Sequence, residues 1–170
     1  MNDLSGIALD PFQIARSEID QWRGKCLNAF SKGEAVIGKA LEGLALLSAG
    51  GHALKIEHLA GQRATQLANM LPKLSLTERQ RNAISSALDD WRNREQERTF
   101  LAHGVVAAGL QRNSEWFAIF DVRVFRNGIA EQRRWAVSRA EADDFAVALK
   151  SAADKLAQSC GAIPNWLAAD

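Results

Sequence analysis

From Asp10 onward the apolar residues fall at three- and four-residue steps: Ile14, Ile19, Trp22, Cys26 and Phe30, then Val36, Ile37, Leu41 and Leu44. That spacing marks one face of a long amphipathic helix. Asp10-Pro11 supplies an N-cap and a proline at the first helical position, Gly33 is a place for a bend, and the "SAGG" that starts at Ser48 ends the run. A second stripe of Ile56, Leu59, Ala60, Ala64, Leu67 and Met70 predicts a helix from about His52 to Leu71, stopped by Pro72. Ser75 to Glu78 has the form of a capping box. It predicts a third helix that turns Ile84, Leu88 and Trp91 inward and runs to "LAHG" at Gly104. Then the period changes. "EWFAIFDVRVF" alternates over Phe120, Val122 and Val124, with Phe117 and Phe125 on the other phase. "RNG" signals a turn and "IAEQRRWAV" returns, which predicts a β-hairpin. Ser138 to Glu141 is a second capping box, opening a last helix with Phe145, Leu149, Ala152 and Leu156 on one face. "CGAIP" closes it, and Trp166 is placed to tuck the tail back. The expected fold is mainly α: a single domain over residues 1–170, a bundle of about four helices with a β-hairpin inserted at about residues 115–137.

Composition narrows the function more than the fold. A chain of 170 residues buries a core without metal or disulfide staples. The net charge of +1 excludes a strongly basic coat, so any RNA or DNA contact must be local. Cys26 and Cys160 lack CxxC spacing and read as buried free thiols of a reducing cytosol. The start, "MNDLSGIALDPF", lacks the basic residues and apolar run of a signal peptide. "IGKALEGLALLSAGG" is too short for a membrane span and carries Lys39 and Glu42. The expectation is a cytoplasmic protein. No Gly-rich phosphate loop, nucleophile elbow or HExxH is present, so kinases, Rossmann enzymes, serine hydrolases and zinc proteases fit poorly. His52 and His58 stand six apart with no cysteine nearby, so neither a metal nor another cofactor is expected.

The local irregularity lies in "REQERTFLAHGVV". On a wheel of about 100° per residue counted from Leu88, Trp91 falls at about −60°, Glu95 at about −20° and Arg98 at about −80°. Two charged residues thus continue the stripe begun by Ile84, Leu88 and Trp91. Buried charges are costly unless paired or in a wet cleft, and such violations of pattern gather at functional sites. His103 falls at about +60°, about 7.5 Å along the axis from Arg98. Arginine offers a fixed fork of donors that suits a phosphate, and histidine moves protons near neutral pH. The plain alternative is end chemistry: a histidine in the last turn followed by glycine, with Glu95 and Arg98 paired on a wet face. Arg92 and Arg94 precede the motif and extend a basic, RNA-binding patch, or else a solvated face. Glu34, close to the apolar stripe of the first helix, is placed to face Arg98 across the bundle and tune it. In the hairpin, Arg123, Arg126, Arg133 and Arg134 stand among Trp116, Phe117, Phe125 and Trp135. That mixture suits single-stranded nucleic acid, aromatics packed on the helices beneath, or an open edge for a protein partner.

Arg98-x4-His103 followed by glycine, at the end of a long helix in a helical bundle, resembles the HEPN superfamily (higher eukaryotes and prokaryotes nucleotide-binding). "ERTFLAHG" is similar to the "ERN-x-LAHG" form of bacterial HEPN-like proteins, which often carry a β-hairpin before the last helix. The matching residues span Glu97 to Gly104, whereas the architecture covers most of the chain. The position after the arginine is often Asn, Asp or His in active members and is Thr99 here, whose hydroxyl still bonds phosphate or ribose. The resemblance implies a metal-independent endoribonuclease, a toxin or phage-defence effector, acting on RNA as a homodimer. Arg98 would stabilise phosphate charge and His103 would act as general acid or base, with Glu95, Thr99 and Glu34 in support. An antitoxin or other protein partner is compatible with it. The alternative is a catalytically silent HEPN-like module that binds RNA, a nucleotide or a protein partner.

Overall fold

Asp10 accepts a hydrogen bond from the Phe12 amide at 3.1 Å and so starts α1, Pro11–Leu47. The computed structural model describes residues 10–47, 54–126, 128–161 and 163. Helix α1 carries Ile19, Trp22, Cys26, Phe30, Ile37, Leu41 and Leu44 into the core, and Ala15 takes the inward place expected of Ile14, which is exposed. Helix α2, Ala60–Met70, begins eight residues later than the stripe suggested. Leu59 stays exposed, and Leu54–Glu57 has no regular structure and is tied by the Gln66 side chain, which donates to the Lys55 carbonyl and accepts from the Glu57 amide. His52, the "SAGG" stop and Trp166 lie outside the described residues.

Helix α3, Glu78–Arg92, opens on a capping box, but its members are Thr77 and Gln80 rather than Ser75 and Glu78. The expected third helix is two helices. The chain breaks at Asn93 and Arg94, and α4, Glu95–His103, begins after that two-residue turn. The strand region also differs. Val105–Leu110 forms β1, so β1, β2 (Trp116–Arg126) and β3 (Ile129–Ser138) make a three-stranded antiparallel sheet in that order, not a hairpin alone. Gly128 takes φ +78° between β2 and β3, a backbone state that glycine adopts freely. Ser138 and Glu141 form the expected capping box ahead of α5, Arg139–Gly161. The fold is mainly helical, with the sheet inserted before the last helix.

The inner face of the sheet is glued to the helices by aromatic rings. Trp22 of α1 lies 5.9–6.3 Å from Trp116, Phe120, Trp135 and Phe145, and Trp135 stacks on Phe120 at 5.5 Å and meets Phe100 of α4 at 5.9 Å. Both indoles on this face that bury polar edges have acceptors: Trp22 donates to the Ala142 carbonyl at 2.7 Å and Trp116 to Glu18 at 2.9 Å. Cys26 and Cys160 are buried free thiols, and burial pushes both up to about 12, which keeps them protonated and unreactive. Among the described residues no helix is long and apolar enough to cross a membrane.

Candidate functional site

Helix α4 is short for its task, at nine residues, and depends on its neighbours. Phe100 and Leu101 anchor its inner side in the core. At its C-terminal end the orphan carbonyls of Leu101 and Ala102 accept from the guanidinium of Arg23 on α1. Gly104 closes the helix with φ −70° and ψ 137°, so it is not the left-handed cap its position suggested. It is glycine for a different reason: a Cβ there would sit 2.5 Å from the Phe100 carbonyl oxygen and 3.3 Å from Cβ of Phe120. Gly104→Ala is therefore expected to cost about 1–3 kcal/mol by overpacking, seen as a lower denaturation midpoint at unchanged m-value.

The break at Asn93 and Arg94 interrupts the continuous helix on which the wheel was drawn. Arg98 turns toward α1 and places Nη2 2.7 Å from Oε1 of Glu34. The Glu34 side chain is only 17 % exposed and that of Arg98 40 % exposed. The contact is charge against charge: Oε1 of Glu34 receives no hydrogen bond of acceptable direction. Thr99, next along α4, is half-buried. Glu95 sits in the first turn of α4 with its carboxylate against the start of α2, where a Cβ added to Gly61 would lie 3.8 Å from it. Arg92 donates to Thr65 of α2 at 3.4 Å, and Arg94 folds back onto the Asp90 carbonyl. Four helices thus meet around Glu34, Glu95, Arg92 and Arg98. His103 is exposed in the last turn of the same helix and makes no hydrogen bond or ion pair with the described residues. Arg98 and His103 share one rigid element, about 7.5 Å apart along its axis. Arg23 is the residue that sequence reasoning missed; it is one of many exposed-phase arginines, and nothing in its spacing marks it as the clamp on α4. Among the described residues no group of three or more His, Cys, Asp or Glu is placed to hold a metal ion.

Burial raises the Glu95 carboxyl above the ordinary glutamate range, against the opposing pull of Arg92 and Arg98, with the negative charge of Glu34 adding to the rise. The folded chain therefore holds this proton more tightly than the unfolded chain. Its stability falls as pH rises from the ordinary glutamate value through the folded-state value, and the charged form remains a burden at neutral pH. Glu95→Gln is expected to raise Tm by a small margin at pH 7 and to lose that advantage at about pH 4 and below, as followed by thermal melts across pH. Compared with protein-family models, with curated proteins and with solved structures, the chain matches none.

Proposed function

We propose that the chain is a metal-independent endoribonuclease of the HEPN type, a toxin or phage-defence effector working as a homodimer. The observation that carries this reading is the geometry of α4. One short, clamped helix bears a partly exposed arginine and, five residues on, an uncovered histidine. In the proposed reaction His103 takes the proton of a ribose 2′-OH, and the 2′-oxygen attacks phosphorus. Arg98 stabilises the charge that grows on the phosphate oxygens. The P–O5′ bond breaks, and the 5′-oxygen leaves with a proton supplied by the second copy of His103, giving a 2′,3′-cyclic phosphate and a 5′-hydroxyl. Glu34 and Glu95 support the site by fixing Arg98 and setting its field.

A second reading has its own observation. Glu34 already lies on Arg98, and Thr99 takes the place where active members of the resembled family often carry Asn, Asp or His. That favours a silent module that binds RNA, a nucleotide or a protein partner without cutting. The test is RNA cleavage by purified protein in EDTA beside a His103→Ala variant of verified fold. Cleavage by the parent alone, with cyclic phosphate ends, supports the nuclease. No cleavage of varied RNAs by either protein moves the function to binding, and equal cleavage by both rejects the site.

A further inference from the structure

We infer that the outer face of the three-stranded sheet is a track for single-stranded RNA leading away from the end of α4. This rests on the reading of the chain as an RNA-handling protein and adds a surface to it. Strand β2 alternates strictly. Trp116, Ala118, Phe120 and Val122 are buried on its inner side, which leaves Phe117, Ile119, Asp121, Arg123 and Phe125 on the outer side. The register completes that face. Val105 of β1 and Arg134 of β3 flank Asp121, Ala107 and Ala136 flank Ile119, and Gly109 lies opposite Phe117. A sheet with one packed face normally turns polar side chains to water on the other. Here Val105 is 77 % and Phe125 71 % exposed, and Ala107 and Ala136 are exposed on either side of Ile119.

Two aromatic rings and two arginines give this surface its chemistry. The Phe117 ring reaches sideways over Gly109, where an added Cβ would come within 2.2 Å of its tip, so the ring lies along the sheet. Phe125 stands exposed about 26 Å further along β2. Between them Arg123 is exposed and free of hydrogen bonds and ion pairs to the described residues. Arg134 spends Nε and Nη2 on Asp121 at 2.8 and 3.0 Å, which neutralises the one carboxylate on this face among the described residues and leaves Nη1 for a phosphate. The face therefore carries a surplus positive charge with flat rings at both ends. Base stacking plus phosphate pairing uses all four groups. An apolar protein surface would leave Arg123 and the spare Nη1 of Arg134 desolvated without partners. The track starts beside the candidate site: β1 begins at Val105, two residues after His103, and Arg123 lies beyond Asp121 toward that junction.

The test is anisotropy binding of a 2′-O-methyl oligouridine of about twelve nucleotides, which lacks the attacking hydroxyl and so reads binding apart from cleavage. Phe125→Ala and Arg123→Ala are both expected to weaken binding about five-fold or more, with thermal stability unchanged because both side chains are exposed. Arg123→Ala should also reduce the slope of log K against log salt by about 0.7. Failure of the parent to bind, or equal binding by parent and both variants, overturns the track. So does a change of mass by light scattering in the variants with RNA binding intact, which would mark the face as a protein interface. Cleavage of ordinary RNA without sensitivity to these variants removes the track and leaves the nuclease standing. Sensitive binding without any cleavage keeps the track and removes the nuclease.

Discussion

Replacing His103 with alanine is expected to lower the RNA cleavage rate by about 10²–10⁴-fold while shifting stability by no more than about 0.5 kcal/mol. The two halves of that expectation come from the same fact. His103 is exposed and makes no bond with the described residues, so the fold does not depend on its ring. Helix α4 keeps its anchors Phe100 and Leu101 and its clamp Arg23 when the imidazole is gone. Any loss of activity at this position therefore reports proton transfer rather than unfolding. Arg98 offers no such separation. Truncating it would leave the Glu34 carboxylate largely buried with no cation against it, so a loss of activity would come mixed with a loss of stability. Single-turnover cleavage rates for parent and His103→Ala, beside their thermal melts, check the prediction. A variant that cleaves as fast as the parent places the chemistry elsewhere. A variant that melts far below it shows that the ring has a structural partner.

How much of this was legible beforehand depends on the length of each signal. The stripe on α1 repeats over ten turns, and a register error cannot hide in it; only in its first turns does Ala15 replace Ile14 as the inward residue. The alternation of β2 is shorter, over 11 residues, but unbroken, and its inward and outward phases are readable from Phe120, Val122 and Val124 against Phe117 and Phe125. β1 was not readable. "VVAAGL" is short, lacks polar residues at alternate places and contains alanine and glycine, so its strand state is set by pairing with β2 rather than by its own sequence. The break at Asn93 and Arg94 was hidden for a similar reason. Neither residue is a strong breaker, and the turn is decided by where α4 must dock: Phe100 under the sheet and Leu101 in the core. The ion pair of Arg98 runs across to Glu34 of α1 rather than along the helix to Glu95. The pairing of Glu34 with the motif arginine was anticipated from the face on which Glu34 lies, whereas Arg23 was not, because a clamp on another helix's carbonyls leaves no trace in spacing.

Gly33→Ala is expected to destabilise the chain by about 1–3 kcal/mol, although the same substitution in a helix interior ordinarily stabilises by about 1 kcal/mol. Trp91 is fully buried at the end of α3, edge-on to Phe30 at 6.0 Å, and its ring presses onto α1 where Gly33 leaves a gap. A Cβ on Gly33 would meet Nε1 at 2.2 Å, Cε2 at 2.6 Å and Cδ1 at 3.0 Å of that indole. Three contacts on a fixed ring cannot be relieved by a rotamer change, so α3 must shift away from α1. The same helix contains its own controls. A Cβ at Gly24 or Gly38 meets nothing within 4 Å, so alanine at either should raise stability by about 0.5–1 kcal/mol. Opposite signs among glycines of one helix isolate the packing contact from helix propensity. Denaturant midpoints of the three variants decide it, and a stabilised Gly33→Ala would show that Trp91 does not lie where the fold places it. The contact also matters for the site. Trp91 stands four residues before the start of α4 at Glu95, so a displaced α3 carries Glu95 and Arg98 away from Glu34. In a Trp91→Phe background, where Nε1 is absent, the cost of Gly33→Ala should shrink, and the size of that coupling measures how firmly one glycine on α1 holds the entry to α4.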